Sequence, residues 1–284
     1  IGSVVLNQFT TSQDFIDFAS AFKPGDRIFI ISSIFGGTGA SGFPLLLKNL
    51  RGLSPDMPNY ASIQNAPIGA ITVLPYFDVK PEEDSAIDSS TFIGKTKAAL
   101  QYYEKNVNGN KSSVNVLYYV ADDRASQYDN NEGGTDQRNN AHMVELISAL
   151  SIVDFADIPD GDPIIDCDED DNGRVYAPNA TFREFGIEDD VKEVLFSNLS
   201  QTTRDIICAP MTQFVLFSKY FKEHLRSAMS QPWAKDNEIT DAFLKTPFVN
   251  NIKKFTESYL TWLDEMSNND RCFKPYKLSV KGSD

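Results

Sequence analysis

Four glycines, a threonine and a serine fall within residues 36–42, as Gly36-Gly37-Thr38-Gly39-Ala40-Ser41-Gly42, directly after the apolar, β-branched run of residues 27–35. Glycines at such a junction let the backbone take positive φ and approach a ligand closely. The free N–H groups and dipole of a following helix attract anionic oxygens. The chemistry indicated is phosphate binding. Gly37, Gly39 and Gly42 also satisfy the G-x-G-x-x-G spacing of a dinucleotide site, but the acidic residue it wants about 20 positions later is offered only by Asp56, in a Pro/Asn-rich stretch. No Gly-Lys-Ser or Gly-Lys-Thr closes the segment, so it is not a Walker A loop. The plain structural reading is a glycine-rich turn that packs a helix tightly on a strand.

The elements that must position this segment read as an alternation. Residues 44–50 begin a helix with Pro44 in its first turn, 68–76 form a buried strand, 92–105 show helical periodicity, and 114–120 form the next apolar strand. Strand, glycine segment, helix, strand, helix, strand, helix implies an α/β fold with a parallel sheet and ligands at the carboxyl ends of its strands. Residues 139–150 continue as a helix with Met143, Leu146, Ile147 and Leu150 on its core face; His142 there reads as a held polar residue, and Asn139 as an N-cap.

Read whole, GGTGASG resembles the G-G-G-T-G-[ST]-G signature of the tubulin and FtsZ GTPase superfamily, with Phe35 in place of the first glycine. The segment IGAITVLPY at 68–76 and IVDFADI at 152–158 resemble further parts of that family. The resemblance covers about residues 26–158 and implies a tubulin-like nucleotide-binding domain for GTP or GDP, with Mg2+. The phosphates would be held by the amides of Gly36, Gly37, Thr38, Gly39, Ala40, Ser41 and Gly42 and by the Thr38 and Ser41 hydroxyls. It places a ribose contact in the acidic stretch 78–84, at Glu82, and base contacts at Asp122 and Asn139. Asp154 and Asp157 would lie on a loop that reaches the nucleotide of a neighbouring subunit, which implies self-assembly; read from the residues alone, 149–155 is apolar enough to be the end of a buried helix with Asp154 as a cap. The family opens with an upstream strand and glycine loop, whereas here residues 12–22 read as one amphipathic helix. The expectation is a fragment of a longer protein, with residues 1–158 as the nucleotide domain.

Residues 159–284 are expected to form an acidic connector and a helical domain. Asp168-x-Asp170-x-Asn172-Gly173 matches the start of a calcium loop, but its twelfth position is Asn179 and not Glu. Helical spacing runs through 191–199, 202–226, 240–244 and 247–266, with an aromatic stripe at Phe214, Phe217, Tyr220 and Phe221. A net charge of −14 disfavours nucleic acid and anionic membranes as partners. Three scattered cysteines suit a reducing, cytoplasmic setting, and no apolar run reaches the length of a membrane span. Two other classes stay open: an NAD(P)-binding oxidoreductase, and a non-catalytic structural or interaction protein with an incomplete nucleotide site.

Overall fold

The computed structural model describes residues 8–81, 89–107, 114–124, 127–129, 140–159, 168–169, 175–176, 181–182, 186–188 and 191–275. Its contacts divide the chain into two units, Ile1–Arg138 with Val144–Gly186, and Asn139–Met143 with Ile187–Asp284. Among the described residues, no helix is long and apolar enough to cross a membrane.

The first unit is mixed α/β. Helix α1 (Gln13–Ala21) starts where the Ser12 side chain accepts from the Phe15 amide, and it buries Phe15 and Ala19. Strand β1 (Ile28–Ser33) leads into α2 (Gly37–Arg51), followed by the short α3 (Tyr60–Asn65), within a stretch that reads as a loop from sequence. Strand β2 (Ile68–Val73), the two-residue β3 (Asp78–Val79), α4 (Phe92–Asn106), β4 (Val116–Val120) and β5 (Gln127–Tyr128) follow. Then come α5 (Met143–Asp157), β6 (Asp168–Glu169), β7 (Val175–Tyr176) and β8 (Thr181–Phe182). The main sheet has the order β1-β2-β4-β8, parallel throughout, with Ile31 opposite Ile71 and Ile71 opposite Tyr118.

One face of that sheet packs Ile30, Ile68, Ala70 and Leu117 against Leu47 and Leu50 of α2, Tyr103 of α4 and Phe15 of α1. The other face packs Ile71, Val116 and Tyr118 against Phe155 of α5 and Ile158. Gly69 makes room for the second layer, because a Cβ there would lie 2.8 Å from the rings of Phe155 and Phe29. The end of α2 is tied to the sheet by buried Arg51, which donates to the carbonyls of Gln64 (2.6 Å) and Ala66 (2.7 Å) and to Asn115 Oδ1 (3.1 Å). A buried guanidinium persists only with its donors matched in this way.

The second unit holds β9 (Glu193–Val194), α6 (Gln201–Ala228), α7 (Pro232–Asp236), α8 (Asp241–Leu244), α9 (Pro247–Ser267) and β10 (Cys272–Phe273). Residues 191–199 are not the helix their spacing suggests. The carbonyls of Lys192 and Val194 accept from Cys272 and Lys274, so the segment becomes an edge paired with β10 and then a 3-10 turn, Phe196–Asn198. Tertiary pairing overrides a short apolar periodicity here. The long helices agree with expectation to within a few residues, and Pro210 is accommodated inside α6.

Candidate functional site

The glycine segment is helix, not a turn. Gly36 is extended (φ −97°, ψ 150°) and forms the N-cap, and residues 37–42 already belong to α2. Positive φ occurs among described glycines only at Gly25 and Gly186, so conformational freedom is not what the signature glycines provide. What Gly39 provides is proximity: a Cβ there would lie 2.1 Å from the Ser33 carbonyl oxygen. The first turn of α2 is laid directly on the end of β1, and only glycine fits at that contact. Gly37 differs, since a Cβ there would meet nothing within 4 Å.

This seating leaves the amino end of α2 exposed at the carboxyl edge of the sheet. The Ala40 amide donates to Gly36 O, so those of Gly37, Thr38 and Gly39 have no acceptor within the helix, and Gly36 has no side chain to cap them. Gly37 and Thr38 are exposed. The Ser41 hydroxyl donates to Gly37 O at 2.7 Å, inside the helix, so it turns toward backbone here. Beside this end runs an open groove of about 520 Å3, lined by Gly37, Ala40, Ser41, Pro44, Lys48 and Tyr102 among others. Sites for small molecules occupy roughly 300–1,000 Å3.

Tyr103 is a supporting residue that the sequence signals only indirectly. Pro44 has no N–H to bond Ala40 O, four residues back, and the Tyr103 hydroxyl supplies that donor at 3.0 Å. Burial pushes the Tyr103 phenol well above its ordinary range, with Tyr119 adding to the effect. Burial also lifts Tyr119, and lifts Tyr76 to about 12, helped by Glu145 and Tyr128. For each, the folded state prefers the neutral phenol, so the stability contribution is complete below the unfolded value of 10 and is lost as pH rises through the raised folded value, about 12 for Tyr76. The unfolding midpoint should therefore fall steeply above about pH 10. Tyr103→Phe should flatten that slope while costing about 1–2 kcal/mol at neutral pH through the orphaned Ala40 carbonyl; thermal melts against pH check both.

Around the same strand edge, Phe35, Tyr76, Phe77, Phe92 and Tyr128 form a continuous aromatic cluster, with Phe35 5.2 Å from Phe92 and 5.7 Å from Phe77. Sequence reasoning passed over it because its members come from four separate segments. Of the acidic stretch after β2, Asp78 is bound by Arg124 at 2.9 Å, and Glu82 lies outside the described residues. Asp122, past β4, is half-buried and accepts from the Asp123 amide at 2.8 Å. Asn139 lies outside the described residues. His142 is buried in the irregular segment just before α5, not within that helix.

The segment 152–158 is the end of α5 and not a loop, because Phe155 packs on the sheet and keeps the helix running to Asp157. Asp154 is buried in it and is no cap: the Tyr118 hydroxyl donates to its Oδ2 at 2.6 Å. Asp157 is exposed. Arg27, just ahead of β1, donates to the carbonyls of Phe155 (2.7 Å) and Ile158 (2.6 Å), which fixes this helix end at the amino edge of the sheet. Asp157 and the start of α2 are therefore at opposite edges, about a strand length or roughly 20 Å apart.

Of the calcium-loop candidate, Asp168 begins β6, which pairs antiparallel with β7, while Asp170, Asn172 and Asn179 lie outside the described residues. Among the described residues, no three His, Cys, Asp or Glu side chains gather as a metal site. No protein-family model, no curated protein and no solved structure matches the chain, so its reading rests on the parallel sheet and the glycine-seated helix at its edge.

Proposed function

We propose that the first unit is a tubulin-like guanine-nucleotide-binding domain, with the phosphates of GTP or GDP at the amino end of α2. The observation that carries this reading is the outward-facing set of amides at Gly37, Thr38 and Gly39, seated at the carboxyl edge of a parallel sheet, where ligands of such sheets bind. The adjoining groove has room for the rest of a nucleotide. Asp122, past the end of β4 and outside the lining of that groove, is an acceptor of the kind that matches the N1–H and N2–H donors of a guanine directed along the sheet edge.

In a chain of net charge −14, a phosphate tail needs a counter-cation. Since no protein carboxylate cluster is assembled for it among the described residues, Mg2+ would be held mainly by phosphate oxygens and water. Hydrolysis belongs to an assembly in this reading. Asp157, exposed at the opposite edge of the sheet from its own chain's site, orients water on the nucleotide of another copy in this reading; Asp154, buried and bound by Tyr118, is not available for that role. The free thiols of Cys208 and Cys272 fit a reducing, cytoplasmic setting.

Competition binding tests the base assignment. GTP should outcompete ATP and NAD by about 1–3 kcal/mol, the worth of one well-placed buried hydrogen-bond pair. Preferential NAD binding would move the chain to the dinucleotide class.

A further inference from the structure

The second unit carries an apolar surface that its own fold does not cover. Helices α6 and α9 lie side by side, with Phe214 of α6 against Phe255 (5.5 Å) and Tyr259 (4.7 Å) of α9. The start of α6 and the end of α9 both join the β9–β10 pair, so the two helices run antiparallel. On their outer side Leu216, Phe217, Tyr220, Phe248 and Phe255 are 62, 44, 45, 63 and 64 % exposed. Ring contacts from Phe214 to Phe217 and on to Phe221 make the α6 part continuous with Phe255.

At 150–250 Å2 per large side chain, these five expose on the order of 500 Å2. That is at the top of what a monomer leaves uncovered, and it supplies the apolar centre of a standard interface of about 800 Å2 per partner. Charge selects the occupant. Residues 187–284 hold thirteen Lys and Arg against fourteen Asp and Glu, so nearly all of the chain's −14 lies elsewhere. A second copy therefore carries most of its like-charge repulsion outside residues 187–284. The rim offers both signs, with Lys254 near Glu257 and Lys219 near Glu223, as a self-complementary contact needs.

We infer that the α6–α9 faces of two copies pack together as a two-fold, four-helix contact, giving a dimer independent of any nucleotide. Sedimentation velocity on the full chain between 1 and 100 µM, without nucleotide, tests this. The expected result is a dimer that 0.5 M salt does not dissociate. Phe255→Glu and Leu216→Lys, each at an exposed position, should raise the dissociation constant at least tenfold with unchanged circular dichroism. A monomer throughout the range, or a dimer indifferent to both variants, overturns the inference. So does a monomeric chain that cosediments with phosphatidylserine vesicles through the same residues. None of these outcomes bears on GTP binding.

Discussion

Gly39→Val is expected to abolish the folded first unit, whereas Gly37→Ala, two residues earlier, is expected to leave it intact. At Gly39 a Cβ would sit 2.1 Å from the Ser33 carbonyl oxygen, and the obstacle is backbone, which cannot swing aside as a flexible side chain can. Either α2 lifts off β1 or the strand end breaks its pairing with β2. Both lose burial of Phe43, Leu47 and Leu50, which are 1–2 % exposed. The cost should exceed about 3 kcal/mol, beyond the usual overpacking penalty. At Gly37 nothing lies within 4 Å, and alanine improves helix propensity by up to about 1 kcal/mol. Urea unfolding of the two variants decides it. Equal stability would show that the first turn of α2 is not seated on Ser33. Gly39→Val is consequently a poor probe of phosphate binding.

Asp154→Ala is expected to destabilise the first unit by about 3 kcal/mol, and Asp157→Ala by less than about 0.5 kcal/mol. Asp154 and Tyr118 are 4 % and 3 % exposed and share a 2.6 Å hydrogen bond between α5 and β4. Removing the carboxylate takes from the buried Tyr118 hydroxyl the acceptor it uses across this contact, and the desolvation penalty of a buried polar group adds to the lost bond. Tyr118→Phe in the Asp154→Ala background should recover part of the loss, since both polar groups are then gone. Exposed Asp157 has no such role in packing. If it serves a neighbouring copy's nucleotide, its alanine variant keeps stability and GTP affinity but loses any turnover that rises faster than linearly with protein concentration. Chemical denaturation and turnover against concentration separate the two aspartates. A destabilisation below about 1 kcal/mol for Asp154→Ala would contradict the buried pair.

The strands were legible because β-branched runs such as those at 28–33 and 68–73 have one dominant reading, and their order implied a parallel sheet. The start of α2 was not. Glycine is a poor helix former, so four glycines in seven residues read as a turn until the contact between Gly39 and Ser33 is known. The apolar spacing of 191–199 misled for a related reason: pairing with β10, almost 80 residues away, decides its conformation. At 152–158 a seven-residue likeness suggested a loop, while the side chain that decides the matter, Phe155, is buried against Phe29, 126 positions earlier and 5.6 Å away. Pro44 was noted as a helix-start residue, yet its more specific message, an unbonded Ala40 carbonyl that some donor must satisfy, led to Tyr103 only once the structure placed it. Local chemistry is readable one segment at a time; contacts between distant segments are not.

Calorimetric titration of GTP into the chain and into its Thr38→Glu variant, with urea unfolding of both, tests the phosphate assignment most directly. Thr38 is exposed in the first turn of α2, where an acidic side chain meets the positive end of the helix dipole. The substitution should therefore preserve or raise stability, by about 0.3–1 kcal/mol, while placing a carboxylate where the phosphates would lie. The expected result is a fold at least as stable as wild type with GTP affinity lowered tenfold or more. Unchanged GTP affinity in that folded variant, or no GTP binding by the wild-type chain, would contradict a phosphate site at the amino end of α2.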